Sequence, residues 1–180
     1  MRSDIPVTAG ILTFNSVNDL KGAFDSVRAF DEVLICDGGS TDGTRELAAS
    51  LGCTVIDQDA KFKDSLNRLT DIAGARDQMV KAAKHDWILF IDSDELATPE
   101  LVTEIGSIAT APRTCGAYRV PRLFTLDDEI ITCAMVYPSY QTRLVHKDAL
   151  SHYDGLVHDA PVLLLNEEVG SLEAAQLVPQ

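Results

Sequence analysis

Asp92 and Asp94 stand where a buried strand should end. Trp87-Ile88-Leu89-Phe90-Ile91 is a short, unbroken apolar run, and Asp92-Ser93-Asp94-Glu95 follows it directly. A run of this kind, bounded by polar residues, reads as a strand covered on both faces. Carboxylates at its C-terminal end lie where open α/β sheets bind their ligands. Crowded acids need a positive partner, and a divalent cation is the simplest, because hard cations favour oxygen ligands. In an extended segment Asp92 and Asp94 point the same way and can share that cation. The alternative is that one of them caps the next helix. Glu95 is assigned local work of that kind and no catalytic role.

Two further strand tips carry polar groups. Val7–Thr13 runs into Thr13-Phe14-Asn15, and Glu32–Asp37 ends in an acid. In a parallel sheet these tips share one edge and line one crevice with Asp92 and Asp94. Thr13 and Asn15 can hydrogen-bond a base or sugar, and Phe14 can stack or simply pack. Ionised Asp37 only accepts, which suits a base N–H or a ribose hydroxyl. It equally suits an Asx-turn opening the Gly38-Gly39-Ser40 loop. Gly38–Gly43 lacks both the GxGxxG spacing and a GK[ST] ending, so it is not a phosphate cradle of those kinds. Arg76, in the segment before the Trp87 run, can offset a phosphate or form a surface ion pair. His158-Asp159 follows the last clear strands, and on spacing alone such a pair is structural more often than catalytic.

The elements that must position these residues alternate. Strand, helix, strand, helix, strand, helix and strand are expected over 7–13, 18–29, 32–37, 44–51, 53–57, 69–84 and 87–91. Gly52 serves as a helix C-cap, and 59–68 is a polar loop. This order predicts a parallel sheet with right-handed crossovers and helices on both faces. Pro99 opens a further helix to about residue 109. From Cys115 the short runs 116–122, 129–133 and 142–146 predict a mixed or antiparallel extension. One domain over residues 1–170 is expected, with 171–180 as a flexible or truncated tail.

Composition excludes several classes. The chain has 180 residues, 46% hydrophobic and 24% charged, enough for one substantial core. Its formal net charge of −13 and the lack of a basic patch exclude a nucleic-acid partner. Cys36, Cys53, Cys115 and Cys133 are widely spaced without CxxC, which reads as reduced thiols. No signal sequence and no apolar run of about 20 residues is visible. A cytoplasmic location is expected, and peripheral membrane contact is compatible with it.

Taken together, the motifs resemble family 2 glycosyltransferases of the GT-A fold, over about Val7 to Val162. Those motifs are Thr13-Phe14-Asn15, Ile35-Cys36-Asp37-Gly38-Gly39-Ser40-Thr41-Asp42-Gly43-Thr44, and Asp86-Trp87-Ile88-Leu89-Phe90-Ile91-Asp92-Ser93-Asp94-Glu95 with Thr98-Pro99-Glu100-Leu101. Tyr118–Arg122, Tyr137-Pro138, Gln141–Leu144 and Val157-His158-Asp159 are similar to the lipopolysaccharide-core branch, which carries V-H-E in the last place. The resemblance implies a Rossmann-like, mainly parallel sheet and a UDP- or other nucleotide-sugar donor. It implies a glycan or lipid-linked acceptor, Mg²⁺ or Mn²⁺, and inverting transfer. Thr13, Phe14, Asn15, Asp37, Arg76, Asp92, Ser93 and Asp94 would form the donor-binding set. Asp92, Asp94 and His158 would meet the metal, and Asp159 takes the place of the family's base. Two positions depart from the pattern. Ser16 stands where the family carries an acid, and Asp159 is one methylene shorter than Glu. The competing readings are a non-catalytic nucleotide-sugar-binding module and a haloacid dehalogenase-type phosphatase. The phosphatase motif needs Thr or Val where this chain has Leu96.

Overall fold

The computed structural model describes residues 5–66, 68–127, 129–132, 137–155 and 159–180. Its first half follows the alternating order: β1 (Ile5–Thr13), α1 (Leu20–Val27), β2 (Phe30–Asp37), α2 (Thr44–Ser50), β3 (Thr54–Asp57), α3 (Ile72–Ala82) and β4 (Trp87–Phe90). Then come β5 (Leu96–Ala97), α4 (Pro99–Thr110), β6 (Ala117–Leu126), β7 (Glu129–Ile130) and β8 (Ser139–His146). The last strands are β9 (Leu150–Asp154), β10 (Ala160–Leu163), β11 (Val169–Ser171) and β12 (Gln176–Pro179).

The main sheet has the order β3-β2-β1-β4-β8-β6-β12-β5. Strands β3, β2, β1 and β4 are parallel, and β8 joins β4 antiparallel. Period-two alternation divides the core between the two sheet faces. Val7, Ala9, Ile11, Val33, Ile35 and Leu89 pack with Leu20, Ala23 and Val27 of α1 and Leu101 and Ile105 of α4. Leu34, Cys36, Ile88 and Phe90 face the other way and meet Ala73 and Met79 of α3. The sequence therefore alternates only in which side it buries, which is why these strands read as continuous apolar runs.

Several boundaries move. Helix α1 starts at Leu20 after Asp19, not at Asn18, and no side chain caps it. Helix α3 starts at Ile72 because Asp71 accepts the Gly74 N–H at 2.8 Å. Gly74 is required there: a Cβ would lie 2.3 Å from the Phe62 ring, which the preceding loop folds over the helix start. The largest correction concerns residues 171–180, expected as a flexible tail. Leu172, Gln176 and Val178 are buried, and β12 pairs with β6 in parallel and with β5 antiparallel. Cys36 and Cys115 are free thiols, while Cys133 lies outside the described residues. Among the described residues no helix is long and apolar enough to cross a membrane.

Candidate active site

Register brings the three expected tips together. Thr13 lies beside Asp37, and Asp37 beside Asp57. Gly10 pairs with Phe90, so the chain leaves β4 next to them.

Asp37 is fully buried and commits both oxygens within the protein. Oδ1 accepts the N–H groups of Gly39 (3.0 Å) and Ser40 (2.9 Å) and the Arg45 guanidinium (3.1 Å). Oδ2 accepts the hydroxyls of Thr13 (2.9 Å) and Ser40 (2.6 Å). Burial pushes this carboxyl up, but the hydrogen bonds from Ser40, Thr13 and Gly39 outweigh it and hold its pKa below the ordinary value. The structure thus realises the Asx-turn reading. A free Asp37 oxygen for a base or ribose, as expected from sequence, is not present. Asn15 secures the same loop, its N–H donating to Ser40 Oγ (2.8 Å) and its Oδ1 accepting from Thr41 N (2.9 Å). Gly39 and Gly43 have φ of 95° and 98°, the left-handed region this turn demands.

Beside these tips is a small, mostly apolar slot of about 260 Å³, lined by Leu12, Thr13, Phe14, Gly38, Gln58, Arg68 and Leu69. Phe14 is 55% exposed, an unusual state for a phenyl ring at a strand end. Gln58 is buried and donates from Nε2 to the Cys36 carbonyl (3.2 Å).

The segment after β4 is not extended. Strand β4 stops at Phe90, and Glu95 N–H donates to the Asp92 carbonyl at 3.0 Å, closing a turn over Asp92–Glu95. Asp92 and Asp94 therefore have different surroundings. Arg143 of β8 holds Asp92 by both oxygens, at 3.1 and 2.8 Å. Burial pushes the Asp92 carboxyl up, and the charges of Arg143, Arg76 and Arg122 bring it below the ordinary value. Asp94 is exposed and its carboxylate meets no partner among the described residues. Ser93 donates to Ser16 Oγ at 3.1 Å, so the serine at the family's acid position ties the β1 tip to this turn.

Glu95 does more than local capping. It is 1% exposed, accepts the Asp92 N–H (3.1 Å) and pairs with both Arg122 and Arg143. Thr98, not an acid, caps α4, accepting the Leu101 N–H at 3.2 Å. Arg76 lies on α3 with its guanidinium carbon 4.7 Å from the Phe90 ring centre. Its Nε sits 2.5 Å from Asp159 and its Nη2 3.8 Å from Asp92. Arg76, Arg122, Arg143, Asp92, Ser93 and Asp159 line one crevice of about 710 Å³. Leu12 and Leu69 border both this crevice and the small slot, so the two adjoin.

Sequence reasoning missed Arg143 and Arg122 as site residues, along with Gln58, Arg68 and Leu69. One signal was available for Arg143: a guanidinium beside Leu144-Val145 in a buried strand requires a carboxylate partner. His158 lies outside the described residues. Another cavity, of about 640 Å³, opens among Arg28, Phe30, Asp31, Thr54 and Lys84, where Asp31 pairs with Lys84 and His85. None of its residues belongs to the motifs.

The donor set bears on a metal. Among the described residues no group of three or more His, Cys, Asp or Glu can hold an ion. A cation such as Mg²⁺ needs only one or two carboxylates when phosphates and water complete its shell. Asp94 offers such an oxygen, and that arrangement fits.

An α/β sheet with its polar tips, slot and crevice on one edge places a ligand site there, and comparison makes the class specific. The model of glycosyl transferase family 2 matches residues 8–150. The chain belongs to this family. The prophage-derived glycosyltransferase SunS of Bacillus subtilis is 27% identical over 167 residues, covering 89% of this chain and 36% of that protein. An uncharacterized glycosyltransferase of Rickettsia bellii is 34% identical over 100 residues, 55% of this chain and 31% of that one. The chain thus spans about a third of the length of these relatives. S. aureus TarS 1-349, solved with UDP-GlcNAc, superposes with a TM-score of 0.63 at 14% identity, covering 97% of this chain and 58% of that one. The fold is GT-A.

Proposed function

We propose that this chain moves a sugar from a nucleotide-sugar donor to a hydroxyl of a glycan or lipid-linked acceptor, with inversion. The observation that carries the reading is the apolar slot adjoining the arginine-lined crevice at the C-terminal sheet edge, the two sharing Leu12 and Leu69. The slot suits a flat base between Phe14 and Leu69, with Gln58 and Thr13 at its polar margin. Asp37 and Asn15 act here by holding the loop that forms its floor. A base N–H would reach Asp37 only by displacing the Ser40 hydroxyl. TarS, of the same fold, was crystallised with UDP and with UDP-GlcNAc, which supports a uridine nucleotide as the first donor to try.

The crevice suits the diphosphate and sugar. Arg76 and Arg143 line this crevice, and a guanidinium is suited to meet phosphate oxygens there. Asp94 would hold Mg²⁺ or Mn²⁺, and His158 is the further ligand that the resemblance implies. Asp92 stays with Arg143. The cation, when bound, neutralises charge on the departing diphosphate. Asp159 accepts the acceptor's hydroxyl proton as that oxygen bonds to the sugar C1. The C1–O bond to phosphate breaks on the opposite face, and the nucleoside diphosphate leaves with its electron pair. The likeness of 118–144 and 157–159 to lipopolysaccharide-core enzymes supports a cell-envelope acceptor.

A thermal-shift screen of UDP-, GDP-, dTDP- and CMP-sugars, with and without Mn²⁺, tests the reading. One donor should raise the melting temperature with Mn²⁺, since a ligand at a hundredfold over its Kd adds about 2.7 kcal/mol. No shift with any donor would count against it. Release of the nucleoside diphosphate during incubation with acceptor separates an enzyme from a binding module.

A further inference from the structure

Arg76 serves two anions in one crevice. Its guanidinium lies over Phe90 (4.7 Å) and near the Tyr153 ring (6.0 Å), and the side chain is 9% exposed. Asp159, with a side chain 12% exposed, sits 2.5 Å from Nε. That contact is electrostatic rather than an aligned hydrogen bond, because the Nε–H finds no acceptor in line. The ion pair is close, and an anion that reached the same guanidinium from the crevice would compete with Asp159 for it. Arg143 is not equivalent, since Asp92 already holds it by two aligned hydrogen bonds.

We propose that Arg76 restrains Asp159 in the empty site and is drawn away from it by the donor diphosphate, so that the base is freed only where a donor is bound. The proposal rests on the functional reading above. Transfer of Arg76 to the phosphates releases the Asp159 carboxylate next to the acceptor hydroxyl. Arg76 is thus a positioning residue for the base as well as a phosphate contact. The same competition means that Asp159 opposes donor binding in the wild-type chain.

Binding alone tests this. UDP affinity with Mn²⁺, measured by calorimetry, should tighten roughly three- to tenfold in Asp159→Asn, the scale of a partly buried ion pair. Uridine, which has no phosphate to compete for Arg76, should bind both proteins equally. In an Arg76→Gln background the gain from Asp159→Asn should shrink to less than about twofold. An undiminished gain there would mean simple charge repulsion and overturn the proposal. So would an equal gain for uridine, which needs no Arg76 variant to be measured, or unchanged UDP affinity in Asp159→Asn. If the wild-type chain binds none of UDP, GDP, dTDP or CDP, the functional reading falls and this proposal with it. If it binds one without coupling, only the proposal falls.

Discussion

Asp37 commits both carboxylate oxygens inside the protein, whereas Asp94 leaves its own in solvent. The first is a structural acid and the second an exposed carboxylate, although sequence presents both as acids at strand tips. Asp37→Asn should cost about 1.5–3 kcal/mol in urea unfolding at pH 7, the range for charge-assisted hydrogen bonds. The sign of its pH dependence follows from a lowered folded pKa. The stabilisation is complete above the unfolded value of about 3.9 and is lost as pH falls through the folded value. Asp37→Asn should therefore lose less stability than wild type between neutral pH and about pH 3, which paired urea titrations would reveal. Both residues were legible as polar tips because each ends an apolar run. Their different surroundings were not, because they depend on groups remote in sequence: Thr13 and Arg45 hold Asp37, while Arg143 holds Asp92 and leaves the neighbouring Asp94 exposed. Periodicity carries no record of which side chain meets which across a sheet.

Elements were legible where one signal dominated. Helix α4 begins at Pro99 behind a Thr98 cap, as its Thr-Pro-Glu start predicts. Strands β1, β2 and β4 were readable because each is largely buried on both faces, while β3 is a part-exposed edge strand marked by the Gly52 before it. β12 escaped notice because only alternate residues, Gln176 and Val178, are buried, and one of those is polar. Its place depends on the partner β6 and on Thr98, whose hydroxyl donates to the Ala175 carbonyl at 2.9 Å. Thr98→Ala removes a helix cap and this tie together, and should cost about 1–2 kcal/mol in chemical denaturation. Leu172→Ala, in the core beneath, should cost about 2–4 kcal/mol. Near-zero values for both would mean that residues 171–180 do not pack as described.

At the scale of the molecule, a chain of net charge −13 would meet the proposed anionic donor at an edge where charges are locally balanced. Arg76, Arg122 and Arg143 gather at one sheet edge, each already balanced by Asp159, Asp92 or Glu95. These pairs leave no excess positive charge in the crevice, and the cation proposed on Asp94 would supply it. Long-range steering should then oppose a free nucleotide. The association rate of UDP without divalent ions should rise as salt increases from about 0.01 to 0.15 M, over which the screening length falls from about 30 to 8 Å. A fall in that rate, measured by stopped flow, would mean that the local arginines dominate the approach.

The central claim is that the slot and the crevice together hold one nucleotide sugar. Calorimetry with the donor that binds, on wild type, Phe14→Ala and Asp94→Asn, tests it most directly. Phe14→Ala should weaken binding about tenfold with or without Mn²⁺, on the scale of one lost stacking contact. Asp94→Asn should leave metal-free binding unchanged and abolish most of the gain from Mn²⁺. Donor affinity and Mn²⁺ dependence unchanged in both variants would contradict the account.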